Sequence, residues 1–168
     1  MSKSFNVILI LFKLFNKFFD ILKNEIDKIL KDVDGILWAV VNNAAALVFA
    51  DAAFQTNEQV RNQINVNLYG VWSISKTFAP HLMLSKGRLV NIVSFCTECP
   101  LPTLSLYTAT KAGVLSLSEG MRMELARFGV DVVLFNPGDC PKGTPLCSGQ
   151  RQNYKVRIGN INININLI

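Results

Sequence analysis

SLYTATKAGVLSLSEGMRMELARFGVDVVLFNPGD, Ser105 to Asp139, reads as a helix, a stop and a strand in succession. The helix is predicted from about Ser105 to Phe128, with Gly129 as its C-cap. VDVVLF (Val130–Phe135) then forms a strand closed by NPGD. Tyr107 and Lys111 are four apart, so they share one helix face. A phenol with a pKa of about 10 is a poor base near neutrality. An adjacent ammonium favours the phenolate and brings the tyrosine into the range useful for acid/base work. On spacing alone, a surface pair explains them equally well.

Upstream, GRLVNIVS (Gly87–Ser94) reads as a buried strand that leads into a loop holding Pro100 and Pro102. Ser94, at the end of that strand, could reach the same spot as Tyr107 and hydrogen-bond a substrate oxygen. Thr56 and Gln59 form a capping-box pattern opening a helix that runs to about Met83. Before it, the turn DVDG precedes ILWAVV (Ile36–Val41), a continuous apolar strand ending in NNAAA. The alternation predicts an α/β fold, a parallel sheet covered by helices on both faces. Ligands bind such sheets beyond the carboxyl ends of the strands. Asn42, Asn43, Ser94, Asn136, Pro137 and Gly138 gather at those ends.

The chain's length of 168 residues and its 50% hydrophobic content allow one domain with a sizeable core. The net charge of +5 is spread without a long basic run, which argues against nucleic acid as a partner. Cys96, Cys99, Cys140 and Cys147 do not make a secreted disulfide scaffold or a zinc site, so reduced cysteines in an intracellular protein are expected. Cys96 and Cys99 do form a C-x-x-C, and a reactive dithiol is the alternative. NVILILF (Asn6–Phe12) is too short to span a bilayer, and no signal peptide or transmembrane segment is expected. From Leu14 to Leu30, apolar residues at steps of three and four predict an amphipathic helix. Packing on a core is preferred there over a membrane surface, because acidic residues interrupt the basic face. The tail GNINININLI (Gly159–Ile168) alternates with period two and reads as an edge strand.

VVNNAA, NVNLYGV, GRLVNIVS, YTATK and NPG occur in this order over Ile36–Asp139. Together they resemble the short-chain dehydrogenase/reductase family, with ILWAVVNNAA and ELARFGVDVVLFNPG most similar to its retinol, hydroxysteroid and D-β-hydroxybutyrate dehydrogenase branch. The resemblance implies a partial Rossmann-like, doubly wound parallel sheet and an NAD(P)-dependent oxidoreductase acting on a secondary alcohol or ketone. A steroid, retinoid or hydroxy acid would be the substrate. Tyr107 would be general acid or base. Lys111 would lower its pKa and hold the nicotinamide ribose, and Ser94 would polarise the substrate oxygen. Asn67 would hold a water linking Lys111 to solvent. Asn43, Ala44 and Ala45 would line the adenosine side of the cofactor, and Pro137 and Gly138 the nicotinamide side. The two long helices would pair copies into a homo-oligomer.

Three segments are expected: a divergent N-terminal segment with the amphipathic helix (1–35), a dehydrogenase core (36–150) and an Asn/Ile-rich tail (151–168). The family's T-G-x-x-x-G-x-G loop has no counterpart, since the first glycine is Gly35. Ala45 also stands where the family's N-N-A-G has glycine. FNVILILF would correspond to the family's third strand and the first two strands would be missing, leaving one edge of ILWAVV unpaired. Both ends are rich in Phe, Ile, Lys and Asn, and are expected to be sequence from a truncated or mispredicted gene model. Impaired catalysis follows as an expectation. The alternatives are a non-catalytic fragment or partner-binding remnant of the fold and, third, a membrane-surface protein.

Overall fold

The computed structural model describes residues 6–10, 37–137, 154–158 and 161–165, with side chains placed for 37–137. β1 (Asn6–Ile10), β2 (Leu37–Asn42), β3 (Arg88–Ile92) and β4 (Asp131–Phe135) form one parallel sheet in the order β1-β2-β3-β4. The predicted strands ILWAVV, GRLVNIVS and VDVVLF are all present, with boundaries shifted by one or two residues. The edge of β2 expected to stand bare is instead paired with β1. An apolar edge with unpaired amides takes any strand that a long crossover allows, and the VILI run supplies one. The pairing skips Trp38, since Asn6 lies opposite Leu37 and Val7 opposite Ala39.

One long helical rod joins β2 to β3. It comprises α1 (Asn57–Ile64), a π-helical turn (Asn65–Tyr69) and α2 (Gly70–Ser85). Its start is the expected capping box: Thr56 Oγ1 accepts from Gln59 N, and Gln59 Oε1 accepts from Thr56 N. Lys86 in the left-handed conformation ends it. Gly87 then passes so close to the backbone that a Cβ would sit 2.6 Å from Trp38 O. That approach lets β3 start directly beside β2, and alanine does not fit there. α3 (Ser105–Ala126) joins β3 to β4 and stops at Gly129, whose φ is +75°.

The chain steps in one direction from β2 to β4, so right-handed crossovers place α2 and α3 on the same face. The core there consists of Leu37, Val40, Leu89 and Val132 from the sheet against Ile74, Phe78, Leu82 and Leu125 from the helices. The described residues thus supply one helical layer of the doubly wound fold, the layer on which the site is built. The other sheet face leaves Val133 and Phe135 exposed. The Leu14–Leu30 helix lies outside the described residues. The tail is strand as expected: β5 (Tyr154–Ile158) and β6 (Ile161–Ile165) pair antiparallel in a sheet of their own.

Candidate active site

Lys111, on the second turn of α3, reaches the carboxyl end of β3, where its Nζ donates to Ile92 O at 2.8 Å. It is 2% exposed, and burial pushes its pKa down from 10.5 to about 8. A desolvated ammonium is costly, so its presence calls for a use. Its Nζ stands 5.9 Å from the centroid of the Tyr107 ring. At that range the ammonium and the ring attract each other as a cation–π pair. Tyr107 is itself buried and packs with Leu47 and Leu104, one turn before Lys111 on the same helix face.

Ser94 follows the Ile92 anchor by two residues, in extended backbone, and caps the 3-10 turn Phe95–Thr97 by accepting from Cys96 N at 3.3 Å. That contact uses an oxygen lone pair and leaves the hydroxyl hydrogen for another acceptor. Glu98, at the end of the turn, accepts from Asn136 Nδ2 at 3.0 Å and ties this loop to the residues just past β4. Lys111 is thus anchored at the end of β3 beside the Tyr107 ring, and Ser94 lies two residues beyond that anchor.

Asn67 lies in the π-helical turn and is fully buried. Its Oδ1 accepts from Ala46 N at 2.7 Å, while its Nδ2 donates to Ala46 O at 2.8 Å and Thr110 Oγ1 at 2.9 Å. Both amide hydrogens are thus spent on the protein. The side chain clamps the loop after β2 to the helix that carries Tyr107 and Lys111. Single-turn π-bulges concentrate at functional sites, and this one turns Asn67 into the clamp.

Asn42 does not face the ligand end of the sheet. It is buried, and its Nδ2 donates to Ser75 Oγ at 3.1 Å and Asn91 Oδ1 at 2.8 Å. Asn91 Nδ2 continues the ladder to Ser118 Oγ at 2.8 Å. The strand runs one residue further than its apolar letters suggest, and the last position points inward. Asn43 is exposed beyond it, and Ala44 and Ala45 are half-buried. Among the described non-glycine residues only Lys86 and Thr103 have positive φ, so Ala45 fills the family's glycine position without backbone strain. Pro137 is half-buried beyond β4, and Gly138 lies outside the described residues.

Thr110 and Gln63 belong to the site's support and were not anticipated. Gln63, 0% exposed, donates to Gln55 Oε1 at 2.8 Å and accepts from Val48 N at 3.3 Å, pinning the same post-β2 loop. Polar letters on a helix do not reveal burial. The one sequence signal is that Thr110 falls inside the Y-x-x-x-K segment.

A family model described as short chain dehydrogenase matches residues 18–155. The chain belongs to the short-chain dehydrogenase family. Mitochondrial D-β-hydroxybutyrate dehydrogenase of Rattus norvegicus is 37% identical over 73% of this chain and 36% of its own length. Human 17-β-hydroxysteroid dehydrogenase type 2 is 40% identical over 61% of this chain and 27% of its own. Among solved structures, a metagenomic short-chain oxidoreductase in complex with NADP superposes with a TM-score of 0.66 at 28% identity, covering 72% of this chain and 55% of that one. A gluconate 5-dehydrogenase from Burkholderia cenocepacia, in complex with NADP and tartrate, gives 0.65 at 30% identity over 70% and 46%. This short-chain dehydrogenase therefore spans about a third or less of the curated relatives named here.

The residues fit one half of a nicotinamide dinucleotide. Lys111, with Ile92 O as its hydrogen-bond acceptor among the described residues, has donors left for ribose hydroxyls beside Tyr107. The described residues include no pyrophosphate site: a Gly-rich loop lets the backbone approach the phosphates, and the given sequence has no glycine before Gly35.

Proposed function

We propose that residues 37–137 carry the catalytic half of an NAD(P)-dependent dehydrogenase acting on a secondary alcohol or ketone, with turnover impaired in this chain by the missing pyrophosphate cradle. The observation that carries the reading is Lys111, a buried ammonium with its pKa lowered to about 8, set 5.9 Å from the ring of Tyr107. A bound nicotinamide would supply or accept the hydride. The protein's part is the proton. Tyr107 Oη gives a proton to a carbonyl oxygen in reduction and removes one from an alcohol in oxidation. Lys111 holds the phenolate state within reach, and the Ser94 hydroxyl hydrogen orients the substrate oxygen. Asn67 keeps the two helices and the post-β2 loop in register around them, and the water assigned to it by family resemblance would serve Lys111. Asn43, Ala44 and Ala45 would border the adenosine side, and Pro137 and Gly138 the nicotinamide side. Similarity to D-β-hydroxybutyrate and 17-β-hydroxysteroid dehydrogenases supports a hydroxy acid or a steroid as substrate.

Titrating the purified chain with NADH and NADPH, followed by nicotinamide fluorescence, tests the reading. Saturable binding in the micromolar to millimolar range is expected. No binding at millimolar cofactor would sink it and leave the second reading, a partner-binding remnant, which the missing glycine loop favours.

Self-association is proposed for either reading. Ile64, Tyr69 and Trp72 are each more than a third exposed along the helical rod, and the Tyr69 and Trp72 rings lie 5.5 Å apart. Trp72→Glu would place a charge in that apolar patch. Sedimentation velocity should show a dimer or larger species for the wild-type chain and a shift to monomer for the variant. A wild-type monomer at high concentration would refute the assignment.

A further inference from the structure

The turn that follows Ser94 holds two cysteines, and the dehydrogenase chemistry uses neither. Cys96 is half-buried and Cys99 exposed, and both are free thiols. Glu98 N and Cys99 N both donate to Phe95 O, at 3.0 and 3.2 Å, so residues 95–99 wind into a single tight turn. Positions three apart in such a turn have α-carbons within about 7 Å of each other. A disulfide spans roughly 4.4–6.8 Å between α-carbons, so the turn brings the two backbones to the spacing a bridge requires.

We infer that Cys96 and Cys99 form a reversible dithiol–disulfide site that exchanges with low-molecular-weight disulfides such as oxidised glutathione. The exposed Cys99 thiolate attacks one sulfur of the small disulfide, whose S–S bond breaks to release one thiol and leave a mixed disulfide on Cys99. Cys96 thiolate then attacks the Cys99 sulfur and expels the second thiol. The protein loses two electrons and two protons, and the small disulfide becomes two thiols.

The site sits between the proposed catalytic groups. Cys96 N is the donor to Ser94 Oγ, and the Cys96 side chain packs against the cluster of Leu47, Leu104 and Tyr107. Closing the bridge turns the Cys96 side chain away from that cluster and toward Cys99, so oxidation loosens the packing around Tyr107. This consequence rests on the dehydrogenase reading; the dithiol chemistry does not.

The full chain, with Cys140 and Cys147 both replaced by serine, is incubated with excess oxidised glutathione and mapped by peptide mass spectrometry, with the unsubstituted chain in parallel. A Cys96–Cys99 crosslink that dithiothreitol reverses is expected in both. Adding Cys96→Ser should trap one glutathione on Cys99, because the resolving thiol is gone. Adding Cys99→Ser should leave Cys96 largely unmodified. Finding separate glutathione adducts on the two thiols, no modification, or bridges only to Cys140 or Cys147 would overturn the site. Turnover is expected to fall at least fivefold on crosslinking and return on reduction. Unchanged turnover in a fully crosslinked sample would overturn the coupling to Tyr107. A chain with neither cofactor binding nor turnover defeats the dehydrogenase reading, and the mapping still decides the dithiol site.

Discussion

Tyr107→Phe is expected to lower turnover by a factor on the order of 10²–10⁴, the range that one positioned acid or base contributes. The substitution removes only the hydroxyl. The ring's packing with Leu47 and Leu104 is kept, and so is the neighbouring Lys111 Nζ, 5.9 Å from the ring centroid. NADH affinity should change by less than about threefold, because the lysine that would meet the ribose is untouched. The separation of the two effects is the diagnostic. Stopped-flow or steady-state NADH oxidation against a panel of hydroxysteroids, retinoids and short hydroxy acids supplies the rate, and fluorescence titration the affinity. A variant with wild-type turnover would remove Tyr107 from the chemistry. Equal losses in both quantities would mean that the hydroxyl serves binding.

Ser105–Asp139 spelled out α3, its stop at Gly129 and β4 in its own letters. A helix, Gly129 and an apolar strand required a parallel neighbour, and the same logic placed β2 and β3. Boundaries held to one or two residues because Gly87, Gly129 and the Thr56–Gln59 capping box are local signals. What stayed hidden was what depends on distant partners. Asn42 looked like the first loop residue after a strand, yet the Asn91–Ser118 ladder pulls it inside. The π-turn around Asn67 leaves no mark on apolar spacing, since it follows from a clamp to Ala46 and Thr110 across the fold. β1 beside β2 was hidden for the same reason: strand pairing is decided by which edge is bare, and a single strand's sequence does not state that. For the site, Tyr107, Lys111 and Ser94 were legible as a pattern, whereas the burial of Lys111 is a property of the packing alone.

Lys111→Met is expected to make the protein more stable and, on the dehydrogenase reading, less active. The pKa of Lys111 is lowered to about 8 by burial, against 10.5 when unperturbed. In the window between these values the unfolded chain binds more protons than the folded one. Stability therefore rises with pH through that window, and the penalty is fully present below about pH 8. Its size is on the order of 3 kcal/mol, at 1.36 kcal/mol for each pKa step. Methionine keeps most of the volume and has no charge to desolvate, though Ile92 O loses its donor, which returns about 1–3 kcal/mol of cost. The net gain at pH 7 is thus up to about 2 kcal/mol. The sharper expectation is the loss of the pH slope. Urea denaturation at pH 7 and pH 10 should show wild-type stability rising relative to the variant across that interval. A constant difference at the two pH values would mean that the ammonium is not desolvated. On the same reading, turnover should fall by at least tenfold, since Tyr107 loses the charge that favours its phenolate. On that reading the lysine weakens the fold in exchange for what its charge does to the neighbouring phenol, and the two readouts separate those effects.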